Sequence, residues 1–508
     1  MGRIAPKFRL KLVKYDTIII GAGAAGCVLA ARLSENPDRS VLLIEAGSDY
    51  PNFNSMPDDV RFGFNSASVE EGALNHGWGY RAKMASNFDN LLRGKLVGGT
   101  GAINCGIYLW GLPYDFDRWE QLGNTDWSWK NVEPWFKKIE TDLNFTDSHG
   151  IDGPIAVKRY EPSEWGYLYK TFYDVCRDKG FKDCPDMNTP YASGVGPYPL
   201  NNLYRVRMSA LLGYLNPIRY RKNLTILSEN LVHRILFKKS TAVGVEVEYK
   251  NNVQLITGDE IVISAGAISS PLLLQRSGIG DLFHLNSLGI KINCDIPGVG
   301  ENLRDHPSVP LVWETYGKGS PNIHYHPVGL RYTSPNSEQP DDMIIYITHR
   351  RDRPELVVEP AVSFSQSTGI VRIVSPHVDE HPKIELNLFS HQEDLQRIKD
   401  SIMFCRELFQ SKDLQSYVGE LIEPSLPVFD SDDNLNQWIF NNAIDGHHVC
   451  GTCKMGADSM AVVNQQGLVH GVNNLRIVDA SIMPDIPQAN IHATVLMMAE
   501  KNCSLDVE

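Results

Sequence analysis

One local unit limits what this chain can fold into more than any other feature. Tyr15 to Ile20, YDTIII, is a short apolar run rich in β-branched residues and predicts a buried parallel strand. Gly21-Ala22-Gly23-Ala24-Ala25-Gly26 follows at once, then CVLAARLSE with the small and apolar residues of a helix packed on a sheet. Ser40 to Ala46, SVLLIEA, predicts a second strand ending near Glu45, 19 residues after Gly26. In this strand–GxGxxG–helix–strand–acid unit, Gly21 allows the tight turn, Gly23 lets backbone approach a pyrophosphate, and Gly26 lets helix and strand pack closely. The open helix N-terminus presents N–H groups to phosphate, and Glu45 is placed to accept from ribose hydroxyls. The unit alone fits FAD and NAD equally.

The rest of the 508 residues supports more than one domain-sized mass. Residues 93–104, RGKLVGGTGAIN, hold four glycines, so backbone there must lie close to other backbone or to a ligand. A helix is expected from Leu168 to Lys179, and a strand, a turn and a hairpin over 223–249. Ile261 to Ala265 reads as a buried strand followed by Gly266 and a helix to Arg276. Residues 308–390 contain alternating segments such as DMIIYIT and GIVRIVS, a sheet-rich region unlike the start, and 392–411 has helical periodicity. A βαβ start, an inserted sheet-rich middle and a closing α/β tail imply two intertwined domains.

Forty-eight basic residues against 61 acidic ones argue against wholesale nucleic-acid binding. No stretch has the roughly 20 apolar residues of a membrane span, and the basic start MGRIAPKFRLKLVKY lacks an apolar core. Nine scattered cysteines suit a reducing compartment, so a cytoplasmic setting is expected. Cys450 and Cys453 spell C-x-x-C with no second pair, and no metal-ligating cluster stands at usable spacing, so no metal is expected.

Taken together, six separated motifs resemble the glucose–methanol–choline oxidoreductase family over nearly the whole chain. They are Gly21–Gly26 with Glu45, Gly94–Asn104, Gly266–Gly280, Gly298–Pro307, His448–Gly456, and Val478–Pro484 followed by Asn490 and His492. The resemblance implies an α/β fold with a Rossmann-like FAD-binding domain and an inserted α+β substrate domain on an antiparallel sheet. The FAD-binding parts are expected at 1–150, 205–305 and 431–508, and the substrate parts at 151–204 and 306–430. It implies FAD held by Gly21, Gly23, Ala24, Ala25, Gly26, Glu45 and Ala46. Val97, Gly99, Thr100, Gly101 and Asn104 are expected along the flavin and pyrophosphate. Asp479 and Ala480 would meet the ribityl side, with Asn490, Ala493 and Thr494 nearby, and Val232 would touch the adenine. Trp78 falls near the flavin by this resemblance and reads equally as a core tryptophan. Ile103 stands where some relatives attach flavin covalently through histidine, so noncovalent FAD is expected.

The implied reaction is oxidation of an alcohol, primary and aryl or furanic, by proton removal and hydride transfer to flavin N5. Oxygen, a quinone or another acceptor would reoxidise the flavin. Histidine suits the base because its ordinary pKa of about 6.5 leaves it largely neutral at pH 7. The resemblance assigns proton removal to His448, one place beyond His447, and contact with the alcohol oxygen to His492. A hydroxynitrile-lyase-like activity on the same fold is the alternative. His306 is expected as a hinge, Arg350 and Arg351 as an anion patch or a solvated charge run, and His324 to His326 as a loop over the substrate mouth or in solvent. A choline-type ammonium would need an anionic or aromatic cage, and none is identifiable from sequence.

Overall fold

The computed structural model describes residues 14–63 and 72–504; the basic leader lies outside them. Strand β1, Lys14–Ile20, is followed by helix α1, Ala24–Leu33, and strand β2, Val41–Ile44. All four residues of β2 and the last four of β1 are buried, as a strand covered on both faces requires. Around β1 the sheet runs in the order Leu224–Leu227, β2, β1, Asn252–Ile263, Thr241–Tyr249, Leu231–Lys238, with Leu475–Ile477 also paired to Asn252–Ile263. The pairings on the β2 side, and that with Leu475–Ile477, are parallel, whereas the Leu231–Ile263 meander is antiparallel. The helix after Ile263 spans Gly266–Arg276, as expected from its apolar run.

A second, six-stranded antiparallel sheet runs Val418–Glu423, Leu311–Thr315, Glu355–Val362, Met343–His349, Val328–Tyr332, Gly194–Pro197. Helices Tyr167–Asp178 and Gln392–Phe409 flank it where amphipathic periodicity predicts them. The sheet-rich middle is not one sheet, however. Ile370–Arg372, from GIVRIVS, pairs instead with Lys383–Glu385 in a separate small sheet with Tyr80–Lys83 and Phe88–Leu91. Alternation of residues reports a strand but not its partner. Among the described residues no helix is long and apolar enough to cross a membrane.

Three further expectations change. His324, Tyr325 and His326 are buried, with Tyr325 stacked on His324 and tilted against His326, so the solvated alternative is wrong. Arg350 pairs with Glu355 at 3.8 Å and Arg351 donates to the Ile323 carbonyl, so neither is a simple solvated charge. Glu140, Asp142 and His149, within ten residues of one another in sequence, converge with ligand atoms within 4.8 Å of one another. They form a buried ion-pair network, because cations are already built in. His149 Nδ1 meets Glu140 at 2.7 Å and its Nε2 meets Asp186 at 2.8 Å, while Arg159 bonds Asp142 at 2.7 Å and also reaches Asp186.

Burial lowers the His149 pKa, but Asp186 and Glu140 outweigh it and hold the imidazole at about 9. The folded pKa is thus above the unfolded value near 6.5, so this contribution is full below about pH 6.5 and fades as pH rises through about 9. Thermal melts from pH 6 to 10 should show that loss. His149→Gln should cost roughly 3 kcal/mol at pH 6, as breaking a buried ion pair does, and flatten the decline. An unchanged pH slope in the variant would refute the assignment.

Candidate active site

A cavity of about 500 Å³ runs from the end of β2 to the C-terminal motifs. Its walls include Gly21, Gly23, Ala24, Ala25, Glu45 and Ala46 at one end, with Val232 from the neighbouring strand. Trp78, Gly99, Thr100, Gly101 and Asn104 line it too, as do Asp479, Ala480, Asn490, His448 and His492. Of the residues expected to hold cofactor, Gly26, Val97, Ala493 and Thr494 are not on these walls.

Gly26 serves packing, since a Cβ there would stand 1.9 Å from the Gly21 carbonyl oxygen. Gly21 itself is left-handed at φ +96°, as the turn demands. Gly23 caps α1 without a side-chain hydrogen bond, so the helix N-terminus stays open toward the cavity that Ala24 and Ala25 line. Glu45 has a second task that its position did not reveal. Its carboxylate accepts from Ala22 N and Gly47 N, both at 2.9 Å, and ties the glycine loop to the end of β2. Burial raises its pKa to about 7. Asp479 likewise spends its carboxylate on Gly266 N at 2.8 Å, Ser270 Oγ at 2.6 Å and Ser481 N at 2.8 Å. The residues present fit FAD: an uncapped helix start for the pyrophosphate, glycine backbone along the wall, and a buried His492 ring nitrogen left without a partner.

His492 opens the helix His492–Ser504, is buried, and leaves Nε2 without a partner. Its ring fits because residue 101 is glycine; a Cβ there would lie 2.6 Å from His492 Cε1. His448 is fixed by its backbone, whose N–H donates to Asp305 Oδ1 at 2.9 Å, while Cys450 and Arg304 exchange backbone hydrogen bonds at 3.0 Å. Its ring contacts two side chains, His306 through Nδ1 at 3.0 Å and Asn490 through Nε2 at 3.0 Å. His306, expected as a hinge, is therefore in direct contact with His448. The loop bearing Asn490 is anchored by the helix Pro113–Gln121, where Arg118 bonds Asp485 at 2.7 Å and Asp115 accepts from Gln488 N at 2.9 Å.

Electrostatics separate the adjacent histidines. Burial, and then His306, His447 and Arg93, hold His448 well below its ordinary pKa, and burial lowers His492 to about 4. Burial also disfavours charge on His447, but Asp445, 2.9 Å away, more than offsets it and raises its pKa. Of the two rings, His448 is thus the one whose surroundings favour the neutral form. The His447 backbone is left-handed at φ +64°, a conformation uncommon for histidine.

The sequence matches the GMC oxidoreductase family models over residues 15–308 and 365–499. The chain belongs to the GMC oxidoreductase family. It is 34% identical to the oxygen-dependent choline dehydrogenase of Escherichia coli O17:K52:H18, covering 96% of this chain and 95% of that one, and equally so to that of Klebsiella pneumoniae subsp. pneumoniae. Among solved structures, pyridoxine 4-oxidase from Mesorbium loti superposes with a TM-score of 0.90 at 28% identity, covering 97% of this chain and 99% of that one. A fungal aryl-alcohol oxidase, at 21% identity and a TM-score of 0.83 over 97% of this chain and 98% of that one, shares the fold. This GMC oxidoreductase is an FAD-dependent enzyme acting on alcohols.

Two outcomes test the site. Gly101→Ala must displace the His492 ring and should slow anaerobic flavin reduction by an alcohol about 10²-fold, the usual effect of misplacing a reacting group by an ångström; an unchanged rate contradicts the packing. Because His448 and His492 are held neutral, that rate in the parent enzyme should stay level from pH 8 to 6 and fall only below the ordinary histidine range. An acid limb centred above 6.5 would oppose it.

Proposed function

We propose that this enzyme oxidises a ring-bearing primary alcohol, with His448 as the base and His492 as the hydrogen-bonding partner of the alcohol oxygen. The observation that carries the reading is the pair of neutral histidines, one with an unpartnered buried nitrogen, on the wall of a glycine-lined cavity. FAD, when bound, supplies the hydride acceptor and passes the electrons to oxygen or another acceptor. His448 Nε2 takes the hydroxyl proton, and His492 Nε2 donates to the oxygen as its charge grows. General-base assistance of this kind is worth about 10²–10⁴-fold.

The substrate class follows from the adjoining wall. Ile107, His326, Tyr346, Glu359 and Ala361 line the cavity beside the histidines, and Tyr346 stands opposite Glu359 across two strands of the six-stranded sheet. Aromatic rings and a carboxylate there suit a flat ring bearing a basic group, and supply the acidic and aromatic elements that the sequence alone did not reveal. Similarity to a choline dehydrogenase and to a pyridoxine 4-oxidase supports an alcohol with such a group. A lyase activity is not favoured, because these relatives are oxidoreductases. Nine cysteines outside any disulfide, seven of them buried, support a reducing, cytoplasmic setting.

Anaerobic mixing with benzyl alcohol, furfuryl alcohol, pyridine methanols and choline should bleach the flavin fastest with a ring-bearing basic alcohol. Choline alone bleaching it would overturn the substrate class, and no bleaching by any alcohol the proposed function. With the best alcohol, His448→Ala should lower the reduction rate about 10²–10⁴-fold while FAD stays bound. Photoreduced enzyme mixed with aerated buffer separates an oxidase, which recovers its oxidised band rapidly, from a dehydrogenase. Acid precipitation should release the yellow colour into solution, since Ile103 offers no atom for a flavin bond; colour kept in the pellet would contradict noncovalent binding.

A further inference from the structure

Four side chains from four separate parts of the chain form an unbroken run of hydrogen bonds whose directions can be derived. At one end, His306 Nε2 lies 2.9 Å from the Pro487 carbonyl oxygen. A carbonyl only accepts, so His306 carries its proton on Nε2. Being neutral in its buried site, it then presents a bare Nδ1. His448 Nδ1, 3.0 Å away, must be the donor of that contact. The two rings meet edge to face, with centroids 5.0 Å apart.

The contacts at the other end agree with this donor. Tyr346 Oη donates to Asn490 Oδ1 at 3.1 Å, which turns the Asn490 amide nitrogen toward His448 Nε2 at 3.0 Å. An amide N–H needs a lone pair to point at, so Nε2 of His448 is bare. The reversed arrangement fails. Turning the Asn490 amide over would demand a proton on His448 Nε2, and the ring would then face His306 with two bare nitrogens 3.0 Å apart. Backbone contacts hold the frame: Asp305 Oδ1 accepts from His306 N at 2.7 Å and from His448 N at 2.9 Å. Gly446 leaves the space, since a Cβ there would come within 2.9 Å of His306 Cβ and 3.2 Å of His448 Nδ1.

We infer that His306, by direct contact, and Tyr346, through Asn490, are positioning residues that hold His448 as the Nδ1–H tautomer and leave its proton-accepting lone pair on Nε2. A histidine in water favours the opposite tautomer, so the site reverses the default. An alcohol hydroxyl replaces the Asn490 hydrogen at that lone pair. Once His448 has taken the proton, its Nδ1–H still points at the bare nitrogen of His306, so no ring has to turn during the step. Tyr346 thereby gives the substrate sheet a part in preparing the base, although its own ring lies on the cavity wall.

The inference rests on His448 being the base, and its test is chosen to stand apart from that reading. Holoenzyme labelled with ¹⁵N-histidine reports ring tautomers through long-range proton–nitrogen correlation, without any substrate, and His448→Ala assigns the resonances. His448 should appear as Nδ1–H in the parent enzyme. His306→Leu should turn it mostly to Nε2–H, His306→Asn should restore Nδ1–H by offering an oxygen near the place of Nδ1, and Tyr346→Phe should give a mixture. If His306→Leu does not fold, the other two variants carry the test. A parent His448 protonated on Nε2, or the same tautomer in parent, His306→Leu and Tyr346→Phe, overturns the inference. His448→Ala reducing flavin at the parent rate would instead remove the base reading, while the tautomer result stands by itself.

Discussion

Contact between glycine backbones of distant segments is the constraint on which the rest of this structure depends. A Cβ on Gly99 would lie 2.7 Å from Gly23 Cα, and one on Gly94 would lie 2.7 Å from the Gly99 carbonyl carbon. One on Gly47 would lie 1.8 Å from the Lys95 carbonyl oxygen. These approaches press the 93–104 segment onto the first βα turn, and Glu45 ties that turn from beneath. The result is a wall of bare backbone beside an uncapped helix start, which is what a dinucleotide needs. The same segment, two residues on, gives His492 its space at Gly101. Cofactor cradle and reaction end are thus set by one folded piece of backbone.

A second tie orients the chemistry. Asp305 has no exposed side-chain surface, and it accepts from the backbone of both His306 and His448. It joins two motifs 143 residues apart and so holds His306 and His448 in one frame. Burial raises the Asp305 pKa to about 7, with Asp445 adding to the effect and Arg93 opposing it. The carboxylate is kept for its geometry at an electrostatic cost that Arg93, 3.9 Å away, reduces.

The parts legible in the sequence were those encoded locally. Strand β1, the glycine turn, α1 and β2 follow from a run of about 30 residues, and so do the helices Gly266–Arg276 and Gln392–Phe409. His448 and His492 were singled out by motif resemblance rather than by chemistry that spacing could show. The crowding of glycines at 93–104 announced a close approach without saying to what. The structure gives both answers, backbone at Gly94 and Gly99 and a histidine ring at Gly101. What could not be read depends on contacts between distant residues. His306 meets His448 across 142 positions, Tyr346 meets Asn490 across 144, and His149 gathers carboxylates on either side of it. Periodicity places a side chain on a face of its own element, and nothing in it names the residue waiting on the other side.

The proposed function requires one geometry: an alcohol hydroxyl between Nε2 of His448 and Nε2 of His492 in the cavity suited to FAD. A crystal structure of the FAD holoenzyme with a slow-reacting ring-bearing alcohol bound tests it most directly. The account predicts the dinucleotide along Gly21–Gly26 and Gly99–Gly101, with the hydroxyl oxygen within hydrogen-bonding distance of Nε2 of both His448 and His492. A hydroxyl bound elsewhere in the cavity, or either ring nitrogen turned away from it, would contradict the account.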